Sequence, residues 1–258
     1  MVAAWPTGVS SPTIMDAQAT PTSSVGTGTA RPPIPVLDLG VAPYGPLLEL
    51  QQTLRTRVAQ GALPGVLLLL EHEPIITLGS RGGPADLTGV GASSVCPLPV
   101  LKTERGGAAT LHAPGQLVSY PIMPIPGRDL RAFVAGLEQT LIDLLVAYDV
   151  QATRRAHAPG LYVRGAKIAS VGLRCQRWVS SHGTSLNVSV DLGLFDAIIS
   201  CGEIGLRQTS VLDQTGRAPA MDEVRRDYAA AFSRVFGRTL GPALVSTPER
   251  ALADLGLS

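Results

Sequence analysis

The sequence predicts an α+β domain built on a mixed or antiparallel sheet, and three observations carry that expectation. Strand-like segments come in runs, interrupted by only a few helical stretches, unlike a regular alternation of strands and helices. One segment, Val66–Leu70, is continuously apolar, as in a strand covered on both faces. Glycine and proline are frequent, 28 and 21 in 258 residues, which favours short elements joined by many turns.

Residues 1–33 are rich in Ser, Thr, Pro, Ala and Gly, with Asp16 and Arg31 the charged residues. They read as a disordered tail without the features of a secretory or organellar signal. A strand is expected at Ile34–Leu39. Apolar residues at Leu47, Leu50, Leu54 and Val58 give Tyr44–Gln60 helical spacing, and Gly61 and Pro64 end it. Strands follow at Gly65–Glu71 and Ile75–Leu78, separated by Glu73-Pro74. Residues 80–99 read as a long loop.

Val100–Thr103 and Leu117–Ile122 are strand-like and flank a glycine-rich segment, Arg105–Gly115. Leu130–Tyr148 carries Phe133, Leu137, Leu141, Leu144 and Leu145 on one face and is the best helix in the chain. Strand-like pieces recur at Gly160–Val163, Lys167–Leu173 and Thr184–Val190. A last helix is expected near Asp222–Phe236. The domain is thus expected over residues 34–240, with 241–258 as a C-terminal tail.

Composition narrows the function. The chain is 45% hydrophobic and 16% charged, which excludes disordered, coiled-coil and collagen-like classes. A net charge of +1 gives no global field for nucleic acid or an anionic membrane. Val66–Leu70 is far too short to span a bilayer. Cys96, Cys175 and Cys201 are an odd set without CxxC spacing, so reduced thiols in a cytoplasmic protein are expected. The basic residues number 21, and two of them, Lys102 and Lys167, are lysines.

Three segments can carry chemistry. In Arg105-Gly106-Gly107-Ala108-Ala109-Thr110-Leu111-His112, paired glycines let backbone N–H groups approach a ligand, and the arginine can hold an anion. A plain glycine turn beside a satisfied histidine is the alternative. Lys167 opens an otherwise apolar strand, Lys167–Leu173, that includes Ser170, Val171 and Gly172. Such an amine needs a partner or a job to offset desolvation, unless it snorkels from an edge. The third segment runs from His182-Gly183-Thr184-Ser185 to Cys201-Gly202. There a thiol before a glycine suits an exposed nucleophile, although a small buried residue fits the same pattern.

Together and in order, these pieces resemble the lipoyl(octanoyl) transferases of the biotin/lipoate protein ligase superfamily. The resemblance spans about residues 34–236. It rests on Glu71-His72, Thr77-Leu78-Gly79-Ser80-Arg81, the Arg105–His112 segment continuing to Pro114-Gly115-Gln116, Gly165-Ala166-Lys167-Ile168-Ala169, His182-Gly183 with Leu186-Asn187, and Cys201-Gly202. It implies a biotin/lipoate protein ligase-like α+β fold and a Cys/Lys dyad. Cys201 would take octanoate from octanoyl-acyl carrier protein as a thioester. Lys167 would favour the thiolate, then accept the proton of the incoming target lysine.

The acceptors implied are lipoyl domains of 2-oxoacid dehydrogenase E2 subunits and the glycine cleavage H protein. The implied substrate pocket comprises Arg105, Gly106, Gly107, Ala108, Ala109, Thr110, Leu111, His112, Ser170, Val171, Gly172, Gly183, Thr184 and Ser185, with Val171 and Leu111 as apolar wall. No cofactor is required. No metal is expected either, since His72, His112, His182 and Cys201 lack ligand spacing. Ala113, Ser200, Glu203 and Thr184-Ser185 depart from the usual residues of that family without removing a catalytic group. An ATP-dependent lipoate or biotin ligase on the same fold is the nearest alternative, and a non-catalytic acyl- or metal-binding protein is the third reading.

Overall fold

The computed structural model describes residues 31–88 and 98–257. The expected tail therefore lies outside the described residues except for Arg31–Pro33, as do residues 89–97 of the expected loop, including Cys96. The expected α+β architecture is present. In chain order the elements are β1 (Ile34–Ala42), α1 (Tyr44–Ala59), β2 (Val66–His72), β3 (Ile75–Leu78), β4 (Val100–Lys102), β5 (Ala109–His112), β6 (Gln116–Ile122), α2 (Leu130–Ala147), β7 (Thr153–Arg155), β8 (Ala158–Val163), β9 (Ala166–Gln176), β10 (Val179–Asn187), α3 (Val211–Thr215), α4 (Met221–Phe236), β11 (Leu240–Val245) and α5 (Ala251–Asp254).

Eight strands form one mixed sheet in the order β11-β1-β2-β6-β10-β9-β8-β7, and β4-β3-β5 form a second, small sheet. The apolar run of β2 explains itself here. Side chains alternate between faces of a strand. Leu67 and Leu69 join the core under α2 and α4, whereas Val66, Leu68 and Leu70 join the core under α1. A strand with helices on both sides has no polar face to show. The small sheet has its own core, in which Ile76, Leu78, Leu111, Phe195 and Ile198 pack together.

Local chemistry fixes the ends of these elements. The Asp129 carboxylate accepts from Ala132 N at 2.9 Å and caps α2. Gly237 closes α4 in the left-handed region, at φ 57°. Arg225 on α4 is buried and pairs with Glu71 of β2 at 2.8 Å, with Asp38 of β1 at 3.4 Å and with Asp222 at 2.7 Å. That network ties α4 to the two parallel strands. The other oxygen of Glu71 accepts from Gly115 N at 2.7 Å and so also sets the turn between β5 and β6.

Two expectations need correction. The expected tail over 241–258 is folded as far as it is described: β11 pairs in parallel with β1, Ala251 is fully buried, and Leu252, Leu255 and Leu257 pack against the α1 core. Gly241 and Pro242 disguise this strand, and a sheet edge tolerates a proline. The glycine-rich segment is likewise not all turn, since Ala109–His112 is a strand paired with β3.

Removing residues 240–257 should leave β1 as an unpaired edge and uncover the α1 core. We expect a cost of at least ~2 kcal/mol and a melting temperature lower by several degrees. An unchanged melting temperature in the shortened protein would refute the role given to β11 and α5.

Candidate active site

Cys201 follows a bridge between Ser200 and Ala109, and its own N–H donates to Ala109 O at 3.1 Å. Its φ is 58°, and Gly202 follows at 72°. A non-glycine residue in the left-handed region costs roughly 1–2 kcal/mol and persists only where the surroundings enforce it. Here the turn presents an exposed thiol to the cavity.

Lys167 stands opposite. It is the second residue of β9 and is 2% exposed. Its main chain is held from both sides, with Lys167 N donating to Arg207 O at 2.8 Å and Thr209 N donating to Lys167 O at 2.9 Å. Its Nζ donates to Cys201 Sγ at 3.1 Å, to Pro159 O at 3.2 Å and to the Tyr162 hydroxyl at 3.3 Å. Three N–H groups thus meet three acceptors, which offsets the cost of burying the ammonium. The snorkelling alternative is not what the fold does.

Glycine is needed beside this amine. Gly160 has φ +124°, and a β-carbon there would collide with Ala169 O and come within 3.2 Å of Lys167 Nζ. Above the pair, Arg155 lies 4.7 Å from the Tyr162 ring centre and pairs with Glu203 at 3.2 Å. The unusual Glu203 therefore links the Cys201 turn to the β7–β8 hairpin.

The dyad opens on a cavity of about 530 Å³, a size suited to a small-molecule site. Arg105, Gly106, Gly107, Ala108, Ala109, Thr110, His112, Ser170, Val171, Gly172, Gly183, Thr184 and Ser185 all line it. Leu111 does not. As β5 is a strand, Thr110 and His112 face the cavity while Leu111 faces the small-sheet core, which corrects its place as apolar wall. Leu130, Val134 and Leu173 join Val171 on the apolar side instead. Gly106 N donates to Leu173 O at 2.9 Å, and a β-carbon on Gly172 would sit 3.1 Å from Gly106 O. The two segments cross where bulk is least.

Arg105 is used internally. Its guanidinium donates to Thr77 Oγ1, Thr77 O, Ala108 O and Gly106 O at 2.6–3.1 Å, so most of its N–H groups shape the loop rather than await an anion. Burial pulls its pKa down, while Tyr44, Cys201 and Tyr120 pull it up. Lys102, the other lysine, donates to Gly79 O and Gly82 O and braces the neighbouring loop.

The buried end of the cavity is polar; sequence reasoning placed His112 there but assigned no role to Tyr44, Tyr120 or His182. Tyr44, His112, Tyr120 and His182 line it, with His72 behind. His72 donates from Nδ1 to Ala42 O at 3.0 Å and accepts from the Tyr120 hydroxyl at 2.7 Å, the pattern of a neutral ring. Burial lowers its pKa to about 4. His182 also falls to about 4, from burial first and then from Arg105, Arg174 and Arg55. Burial holds His112 well below the usual histidine range, and pushes the Tyr44 and Tyr120 hydroxyls up. Near neutral pH the floor is uncharged.

The lipoyl protein ligase A/B catalytic domain family matches residues 43–233. An octanoyltransferase of Xanthomonas euvesicatoria pv. vesicatoria is 39% identical over 245 residues, covering 94% of this chain and 99% of the relative. That of Maridesulfovibrio salexigens is 37% identical over 206 residues, 79% of this chain and 96% of the relative. Among solved structures, lipoate-protein ligase A bound with ATP superimposes with a TM-score of 0.66 at 15% identity, over 86% of this chain and 94% of that one. P. falciparum LipL1 in complex with lipoate gives 0.65 at 11%, over 85% and 68%. These two show the lipoate protein ligase fold. The chain belongs to the lipoyl protein ligase A/B catalytic domain family, in its octanoyltransferase branch.

The histidines give a prediction with a definite sign. His72 and His182 take up protons near 6.5 when unfolded but near 4 when folded. Their contribution is complete above about pH 6.5 and is lost as pH falls toward 4, at about 1.4 kcal/mol per pH unit for each. Thermal melts of the wild type and His72→Asn across pH 4–7 should show a shallower acid slope in the variant. Identical slopes would contradict the assignment.

Proposed function

We propose that this octanoyltransferase works through an acyl-enzyme on Cys201, with Lys167 carrying the protons. The observation that carries the reading is the 3.1 Å approach of Lys167 Nζ to Cys201 Sγ at the edge of the cavity. A thiolate is a strong nucleophile and a good leaving group, which suits a transfer in two halves.

In the first half, the Cys201 thiolate attacks the carbonyl carbon of the octanoyl thioester on acyl carrier protein. The carrier's sulfur leaves and takes the proton that Lys167 drew from Cys201, so Lys167 ends neutral. In the second half, the uncharged amine of a target lysine attacks the Cys201 thioester. Lys167 accepts the proton lost as the amide forms and returns it to the departing Cys201 sulfur. A thioester is exchanged for a thioester and then for an amide, so this route consumes no ATP. The buried Arg105 cation adds a favourable field at the thiolate.

Val171, Leu173 and the glycine-lined crossing suit an extended alkyl chain, with Thr184 and Ser185 beside it. The acceptors are lipoyl domains, and we infer those of 2-oxoacid dehydrogenase E2 subunits and the glycine cleavage H protein. A reducing cytoplasm suits a mechanism that needs a free thiol. Among the described residues, no helix is long and apolar enough to cross a membrane.

Incubation with octanoyl-acyl carrier protein should add one octanoyl mass to the wild type and none to Cys201→Ala. Transfer that persists in Cys201→Ala without an adduct on the wild type sinks the mechanism. Lys167→Arg retains charge but cannot act as a base near neutral pH, and turnover should fall at least about 100-fold. Full turnover in that variant would leave Lys167 a structural cation.

A further inference from the structure

We propose that Glu138 on α2 is a positioning residue for the acyl transfer, acting on Lys167 through the single peptide group that joins Pro159 to Gly160. The inference rests on the proton-carrying reading of Lys167 and extends it one residue outward. Its basis is hydrogen-bond bookkeeping around one amide. The carbonyl of that peptide, Pro159 O, accepts from Lys167 Nζ at 3.2 Å. The N–H of the same peptide, Gly160 N, donates to Glu138 Oε1 at 2.9 Å. A carboxylate on the N–H side of an amide increases electron density on its carbonyl oxygen, because linked hydrogen bonds polarise one another. The carboxylate therefore strengthens the acceptor that, with Tyr162, aims Nζ at Cys201 Sγ.

The placement of Glu138 is unusual for a carboxylate. It is 7% exposed on a helix that also buries Phe133, Leu137, Thr140, Leu141, Leu144 and Leu145, and a charged group so placed is costly. Its second oxygen accepts from Arg154 Nε at 3.1 Å, at the rim, where the Arg154 side chain is 42% exposed. One oxygen thus faces an exposed cation and the other faces the peptide beside the active amine. Gly160 leaves no slack in that peptide, since a β-carbon there would press on Ala169 O and on the Lys167 side chain. Rotation of the peptide would take Pro159 O from Nζ, leaving Tyr162 and Cys201 as its partners.

A staple between α2 and the β7–β8 hairpin is the competing role for Glu138, and it predicts different behaviour. As a positioning residue, Glu138→Ala should lower kcat for octanoyl transfer about tenfold, with KM for the donor changed less than twofold. The pH profile of Cys201 alkylation should move to higher pH. Glu138→Gln, which keeps an oxygen acceptor for Gly160 N without the charge, should recover at least a third of wild-type kcat. Arg154→Ala breaks the exposed half of the network but leaves the peptide bond partner in place, and should keep wild-type kcat. Should Glu138→Ala fail to fold, the Glu138→Gln and Arg154→Ala pair decides, with lower kcat in the first and wild-type kcat in the second. A wild-type kcat and alkylation profile in Glu138→Ala overturns the proposal, as does an equal kcat loss in Arg154→Ala. If Lys167→Arg is fully active, the reading of Lys167 itself fails. If Lys167→Arg is inactive while Glu138→Ala is normal, only the Glu138 proposal fails.

Discussion

A lysine Nζ buried to 2% exposure, with the Cys201 sulfur, a carbonyl and a phenol as its direct partners, is the constraint on which this structure turns. Water would solvate that charge more cheaply than these partners do, so the protein must hold every partner in place. The αL turn at Cys201, the positive φ of Gly160 and the anchoring of β9 by Arg207 and Thr209 all serve that end. Loosening any of them leaves an unpaired buried donor.

The rest of the fold supplies rigidity and space. The central sheet is covered on both faces, by α1 and α5 on one side and by α2 and α4 on the other. The small sheet brings β5, with Ala109 and Thr110, against the turn that carries Cys201. Three segments then converge: Thr77–Arg81, braced by Lys102, the Arg105 segment, and the Gly172 crossing of β9. Gly183 makes a parallel case on β10, where a β-carbon would run into the Ser119 carbonyl of β6. The cavity exists because small residues stand where strands and loops meet.

Much of this was legible in the sequence, for identifiable physical reasons. Helices α1, α2 and α4 bury one face each, so their apolar spacing survives intact, and the two-sided burial of β2 leaves an unmistakable run. Cys201 and Lys167 stood out by composition, a thiol before a glycine and one of two lysines in a chain rich in arginine. Other features leave weak local traces. The β9–β10 hairpin turns at Arg177 and Trp178, both with positive φ (51° and 62°), so no glycine or asparagine marks it. The buried polar residues Ser180, Ser181 and His182 then hide the start of β10. The resemblance alone puts Leu111 on the pocket wall, whereas the alternation along β5 sends it to the core, and residues 109–112 carry no local strand signal between Gly107 and Gly115. Glu138 interrupts an apolar helix face, and that interruption was the available signal. The partner it reaches 22 residues away is fixed only by the tertiary fold.

Acyl transfer through the Cys201 sulfur requires that the donor be gone before the acceptor reacts. Initial rates measured with octanoyl-acyl carrier protein and a lipoyl domain varied together test that order. A covalent relay gives parallel double-reciprocal lines, because the two substrates react with different forms of the enzyme. Lines that intersect, as for direct transfer within a ternary complex, would contradict it.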